Sequence, residues 1–371
     1  MDSAYQNLRG QRKMSSSTSN QKLVLLTGAT GFIGFQTLLD ALKAGFRVRC
    51  AVRSVEKGEA LLSQPALQPL LQTPDNQQPL VEIAIVPDIT VPGAFNEAIL
   101  GSSYVIHGAS PLRFTKPGPL DAEADFLAPA RRGTLEILEA AATTTTVERV
   151  VITSSVATFV SPKIWAGVER VDPNNPLTPK HRVPPPTPPF PHAGVAYVAS
   201  KVASLEVTET FVKNNNPRFG VVSVHPSWVL GRAECAGNDP AALFNTTNSL
   251  VLSTVVQGNK SPYPSMMRAV VDVHDIARIQ VQSLQQPDVV QPGHCRSFIA
   301  STPGTFEDIP GFIRKNFAEE IENGRVTVLG EQPSNPLPMD SSDTELTFGF
   351  KFMTLEEMTT DLVKQYIELK R

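Results

Sequence analysis

The chain has 371 residues, 41% of them hydrophobic and 19% charged, with a formal net charge of −3. That is long enough for a large core, and the absence of a basic excess argues against nucleic acid as a partner. Cys50, Cys235 and Cys295 are far apart, odd in number and without metal-ligand spacing, so they read as reduced thiols of a cytoplasmic protein; no apolar stretch is long enough to span a bilayer.

Residues 1–20 are polar, carry the Ser-rich "SSSTSN" and lack an apolar h-region, which predicts a disordered tail rather than a signal peptide. From residue 21 short apolar runs alternate with helical periodicity. "KLVLLTG" reads as a strand, "FIGFQTLLDALKAG" as a helix stopping at Gly45, and "FRVRCAVR" as a second strand holding Cys50 in the core. A Gln/Pro-rich connection at 64–79 interrupts. "VEIAIVPDI", "AFNEAIL", "SYVIHGAS", a long helix near 121–142 and "RVVITSS" then continue the alternation. Strands alternating with helices predict an α/β fold, a parallel sheet covered on both faces. Nine prolines between 173 and 191 predict a loop, because proline donates no helix or ladder hydrogen bond. A helix over about 195–214, the strand "GVVSVHP", the stretch "RAVVDVHDIARIQVQSL", the strand "SFIAS" and a helix from about 354 complete the chain, with no internal repeats.

"TGATGFIG" at 27–34 links the first strand to the first helix. Gly28 allows a tight turn, Gly31 a close approach of backbone to a pyrophosphate, and Gly34 close packing of helix on strand, with Thr30, Phe32 and Ile33 on the same turn. The helix N-terminus offers free N–H donors to phosphates. A plain tight turn is the bland alternative; the strand–turn–helix setting favours a Rossmann-type doubly wound domain over 21–232. Residues 233–371 are then mainly a smaller substrate-binding region, with 269–301 returning to the sheet. The second strand ends on Arg53, with Lys57 one turn on, where an NAD site has an acid for the ribose 2′-hydroxyl; a guanidinium suits the 2′-phosphate of NADPH/NADP. The bland reading of Arg53 is a solvated arginine. Asp88 and Ile89 follow the third strand at the expected adenine end, and Gly108, Ala109 and Ser110 follow the fourth along the nicotinamide half.

The fifth strand ends at Ser154 and Ser155, on the sheet edge where open α/β folds bind ligands. Tyr197 and Lys201, four apart, share one helix face. Reducing a carbonyl requires a proton delivered to its oxygen, and Lys201 is expected to favour the phenolate of Tyr197 while Ser155, rather than Ser154, orients the oxygen. The same spacing recurs at Tyr366 and Lys370, so the pair alone is a chance match; the serine strand end and the glycine turn single out Tyr197. No histidine has metal-ligand spacing. His107 and His225 end strands beside the expected cofactor and are open to substrate contact, with a packed, satisfied histidine the favoured reading. Trp228 is balanced between substrate contact and packing. Phe159 and Trp165 are candidates for an apolar substrate pocket, and Ser110 and Val160 for substrate contact.

These residues closely resemble the extended short-chain dehydrogenase/reductases, in the dihydroflavonol-reductase-like branch that includes cinnamoyl-CoA reductases and fungal ketone and aldehyde reductases. The likeness runs from about 22 to 363 through "LLTGATGFIG", "VRCAVRS", "VIHGASP", "GTLEILEAA", "RVVITSS", "YVASK", "VHPSWVLG", "VDVHDIA" and "FGFKFMTLEEM". It implies a Ser155/Tyr197/Lys201 triad and implies that Pro226, Ser227, Trp228 and Val229 pack on the nicotinamide face. Val160 stands where plant flavonoid reductases place a polar residue, which argues against dihydroflavonol itself, and the proline segment is longer than the branch leads one to expect. The expected activity is NADPH-dependent reduction of a ketone or aldehyde on a medium-sized, partly apolar molecule, by a monomer or homodimer. The alternatives are an epimerase or dehydratase retaining NAD, which Arg53 argues against; a hydroxysteroid-type dehydrogenase; and a non-catalytic dinucleotide sensor, which would have no need of the Tyr/Lys pair. Residues 173–191 are expected either to cover the substrate pocket or to form a surface excursion.

Overall fold

The computed structural model describes residues 21–72, 78–110, 121–165, 168–190, 193–258, 265–328 and 330–371; the expected N-terminal tail lies outside them. In chain order the first half runs β1 (Leu23–Thr27), α1 (Phe32–Lys43), β2 (Arg47–Val52), α2 (Val55–Leu62), β3 (Val81–Ile85), β4 (Tyr104–His107), α3 (Ala128–Thr143), β5 (Arg149–Thr153), α4 (Pro162–Trp165) and α5 (Ala193–Asn215). The second half runs β6 (Gly220–Pro226), β7 (Trp228–Leu230), α6 (Ser249–Val255), β8 (Met266–Asp272), α7 (Val273–Gln285), β9 (Cys295–Ala300), β10 (Thr302–Pro303), α8 (Ile309–Asn316), α9 (Ala318–Glu322), β11 (Ser334–Pro336), α10 (Ser342–Phe348) and α11 (Leu355–Leu369).

Seven strands form one sheet in the order β3-β2-β1-β4-β5-β6-β9, every pair parallel. The order reverses beside β1, which is the doubly wound arrangement and leaves a crevice at the carboxyl ends of β1 and β4. The period-2 alternation of strand side chains explains why these strands are apolar throughout. Val24 and Leu26 face one layer with Phe35 and Leu38 of α1 and Ile276 and Ile279 of α7, whereas Leu25 faces the other with Ile137 of α3 and Phe211 of α5. Gln280 of α7, 1% exposed, ties this layer to the sheet: it accepts from Thr37 Oγ1 at 2.5 Å and donates to Thr153 Oγ1 at 2.8 Å.

β7, β10 and β11 all pair with β8 in a smaller sheet, backed by a cluster that includes Leu252 of α6, Ile313 of α8 and Met358 and Leu362 of α11. Only part of 269–301 therefore lies on the main sheet. α7 and β9 do, but β8 pairs with β7, the continuation of β6 beyond Ser227.

Three local features depart from the sequence reading. The stretch "AFNEAIL" forms successive turns rather than a helix, between Gly93 and Gly101, both at positive φ. An unexpected α2 follows β2, its N-terminus capped by Ser54 Oγ accepting from the Lys57 N–H. The long helix opens as a wide π turn at Glu123–Leu127, immediately before Pro129, whose missing N–H and bulky ring disturb regular bonding there.

The described part of the proline segment, 173–190, contains no helix or strand, yet it is anchored. Leu177 makes a parallel bridge to Met339: its N–H donates to Pro338 O at 3.0 Å and its carbonyl accepts from Asp340 N at 2.8 Å. Its side chain is buried with Val160, Ala269 and Leu337. Arg182 pairs with Glu209 of α5, and Phe190 packs on the Phe126 cluster against which Tyr197 also packs. No helix among the described residues is long and apolar enough to cross a membrane.

Candidate active site

The turn between β1 and α1 is closed by the Gly31 N–H donating to Gly28 O at 3.0 Å. Gly28 adopts φ +81°, and a Cβ there would lie 2.8 Å from the Gly108 carbonyl carbon; a Cβ on Gly34 would lie 2.1 Å from Gly28 O. Both positions therefore need glycine, one for conformation and crowding and one for crowding alone. Gly31 caps α1 with no side-chain hydrogen bond, and the first turn has no acid, so the N–H groups of a 12-residue helix face the crevice without a competing carboxylate. Thr27 ties the neighbouring strand end into place: its Oγ1 accepts from Ala109 N at 3.0 Å and lies 3.0 Å from His107 Nδ1. The sequence reading quoted Thr27 without giving it a role; a hydroxyl at the first position of a glycine turn was the available signal.

Arg53 and Lys57 are exposed just past β2, and neither forms an ion pair with a described residue. Asp88 is exposed, with Oδ1 committed to the N–H and hydroxyl of Thr90 at 2.8 and 2.7 Å, so part of the carboxylate expected at the adenine end serves its own turn. Ile89 packs on α3, its Cδ1 3.0 Å from where a Cβ at Gly133 would stand. Phe32 and Ile33 are partly buried on the core side of the turn. The glycine cradle, the open helix end and the unpaired Arg53 fit a dinucleotide with a 2′-phosphate.

On the other side of the crevice, Ser155 begins the 3-10 turn Val156–Phe159, and its Oγ accepts from Ala157 N at 3.2 Å. Tyr197 is half-buried on α5 and is hydrogen-bonded to Ser155. Ser154 points elsewhere. Its hydroxyl has no hydrogen-bond partner among the described residues and lines a cavity of about 20 Å³ together with Ser110, Thr134 and Lys201. Lys201, 9% exposed, places Nζ 5.8 Å from the Tyr197 ring centroid and 3.5 Å from Ser110 Oγ. Desolvation holds its ammonium down to about 8, and desolvation also pushes the Tyr197 phenol up, opposed by the hydrogen bond from Ser155. The direction at Tyr197 is therefore upward rather than the expected depression, with burial outweighing the Ser155 hydrogen bond.

Other expectations part company with the geometry. Val160 is fully buried against Leu177, and Phe159, 1% exposed, packs on His225, so both belong to the interior rather than to a substrate surface. Trp165 is half-buried in the same cluster as Val160. Pro226 is buried at the end of β6, and Ser227 is turned to β9, its N–H and Oγ donating to Ala300 O at 3.0 and 3.3 Å. Val229 is 8% exposed, whereas Trp228 is half-buried at the margin of the small-sheet cluster, against which Phe32 also packs. His107 and His225 are both buried and hydrogen-bonded, as packed histidines should be.

The sequence profile of the NAD dependent epimerase/dehydratase family matches residues 24–296. The ketoreductase CTB6 of Cercospora beticola is 37% identical over 94% of this chain and 95% of its own length. The NAD-dependent epimerase/dehydratase ALT6 of Alternaria alternata is 34% identical over 84% and 87%. Among solved structures, Gre2 from Candida albicans in complex with NADPH superposes with a TM-score of 0.75 at 23% identity, covering 94% of this chain and all of that one. The chain belongs to the NAD dependent epimerase/dehydratase family.

Proposed function

We propose that this family member is an NADPH-dependent reductase of a ketone or aldehyde on a medium-sized, partly apolar molecule. The observation that carries the reading is Tyr197 hydrogen-bonded to Ser155 with the buried Lys201 amine 5.8 Å from its ring centroid, across the crevice from the glycine cradle. NADPH, when bound, supplies a hydride to the carbonyl carbon. Tyr197 delivers its hydroxyl proton to the carbonyl oxygen, and Ser155 donates a hydrogen bond to that oxygen as negative charge grows there. The phenolate left behind is stabilised by the Lys201 ammonium, whose short reach to Ser110 holds it in register. Arg53 and Lys57, free of ion pairs with described residues, serve the 2′-phosphate; Gly28, Thr30, Gly31 and Gly34 receive the pyrophosphate; Gly108, Ala109, Ser110 and Trp228 lie along the nicotinamide end. The Cercospora relative's name and the NADPH-bound neighbour support this reading.

The Alternaria relative's name favours a second reading, an epimerase or dehydratase retaining NAD. Arg53, in place of an acid after β2, weighs against it. The test is NADPH oxidation by purified protein against aldehydes, diketones and polyketide-like ketones. Turnover with NADPH in preference to NADH supports the reductase; co-purified NAD, with rearrangement of a nucleotide sugar and no net cofactor consumption, supports the alternative.

A further inference from the structure

His225 is fully buried at the end of β6, and the proton delivery described above makes no direct use of it. Its Nδ1 lies 3.2 Å from the Ser155 carbonyl oxygen and 3.0 Å from Thr158 Oγ1, and its Nε2 lies 3.1 Å from Ser297 Oγ on β9. The same carbonyl accepts from Thr158 N at 3.1 Å and from Thr158 Oγ1 at 2.8 Å. A carbonyl can only accept, and the Thr158 hydroxyl proton is already directed to it. A hydrogen bond from Nδ1 to this carbonyl requires the imidazole proton on Nδ1, and Nε2 then accepts from Ser297. Burial lowers the imidazole to about 3, so the ring is neutral and keeps this single tautomer across the physiological range. Phe159 lies against the ring at 4.5 Å between centroids, which closes the other side of the turn.

We propose that His225 is the positioning residue for Ser155. Its Nδ1–H, braced by Ser297, fixes the peptide that begins the Val156–Phe159 turn, and that peptide sets where the Ser155 hydroxyl points. With the peptide fixed, only rotation about χ1 remains to the serine, and the Ala157 N–H and Tyr197 restrict that. The inference rests on the reading of Ser155 as donor to the carbonyl oxygen. A histidine retained for packing alone would act on stability without acting through this serine.

The experiment compares His225→Leu, His225→Gln and His225→Asn in the full chain, each alone and with Ser155→Ala. An asparagine amide can occupy the place of Nδ1–H, whereas a glutamine amide reaches toward the place of Nε2. The expected result is a fall in kcat of about tenfold for Leu and Gln at unchanged NADPH affinity, with Asn within a few-fold of wild type. In the Ser155→Ala background, His225→Leu should lower kcat no further. Equal losses from Leu with and without Ser155, or Asn as damaging as Leu, would overturn the proposal while leaving the reductase reading intact. Full activity in Ser155→Ala alone would overturn the site reading and this inference with it. If His225→Leu folds poorly, Ser297→Ala removes the brace and leaves the ring; an unchanged kcat there, together with equal Asn and Gln variants, counts against the proposal.

Discussion

The Lys201 amine lies 3.5 Å from the Ser110 hydroxyl, so the end of β4 and the helix bearing Tyr197 meet through one buried cation. Among the described residues Lys201 makes no ion pair, and desolvation holds its pKa at about 8 against an ordinary 10.5. The folded protein thus carries a charge that it would bind less reluctantly when unfolded. That cost is complete below about pH 8 and fades as pH rises toward 10.5.

Lys201→Met should therefore raise the thermal midpoint of the cofactor-free protein at pH 7, by at most about 3 kcal/mol of stability, with the gain shrinking by pH 10. The same variant should lose carbonyl reduction, and wild-type reduction should decline as pH rises through about 8, where the ammonium deprotonates. Melting curves at the two pH values check the first statement, and a pH–rate profile the last. A Met variant less stable than wild type at pH 7 would show that Lys201 contributes more by its contacts than burial costs.

Arg53→Glu exchanges a phosphate partner for a repelling charge at a position that has no competing ion pair with a described residue. The NADPH to NADH ratio of kcat/KM should fall at least tenfold, because a charged hydrogen bond is lost and a like charge added. A ratio that does not move would leave Arg53 a solvated arginine.

The glycine turn, the strand alternation and the Tyr197/Lys201 pair were legible because each rests on local spacing: three, two and four residues fix the geometry before any tertiary contact forms. What was not legible depended on remote partners. Val160 and Phe159 look like candidates for a pocket wall by position, but Leu177, from the middle of the proline segment, and His225, from β6, bury them. The small sheet is not legible in the sequence because β7 has three residues and, among the described residues, pairs with β8 alone, some forty positions on. The sign of the shift at Tyr197 also escaped the sequence: whether burial or the Ser155 hydrogen bond wins is decided by how much of the side chain the fold encloses.

The proline segment is anchored at Leu177 and Arg182 and ends its described part with Phe190 on the same cluster as Tyr197. Replacing residues 183–189 by Gly/Ser of equal length keeps those anchors but removes the stiffness of five prolines. If the segment covers the substrate, KM for bulky ketones should rise several-fold, since more disorder must then be lost on binding, while NADPH affinity is retained. Equal kinetics for large and small ketones would make it a surface excursion.

The central claim is that Tyr197 delivers the proton that carbonyl reduction consumes. It is tested most directly by single-turnover NADPH consumption in Tyr197→Phe, with NADPH binding measured on the same protein. The ring and its packing on the Phe126 cluster survive the change, and only the hydroxyl shared with Ser155 is removed. The account predicts NADPH binding within a few-fold of wild type and a rate lowered by about a hundredfold or more. A Phe variant that consumes NADPH at a rate near that of wild type, with the same carbonyl substrate, would contradict it.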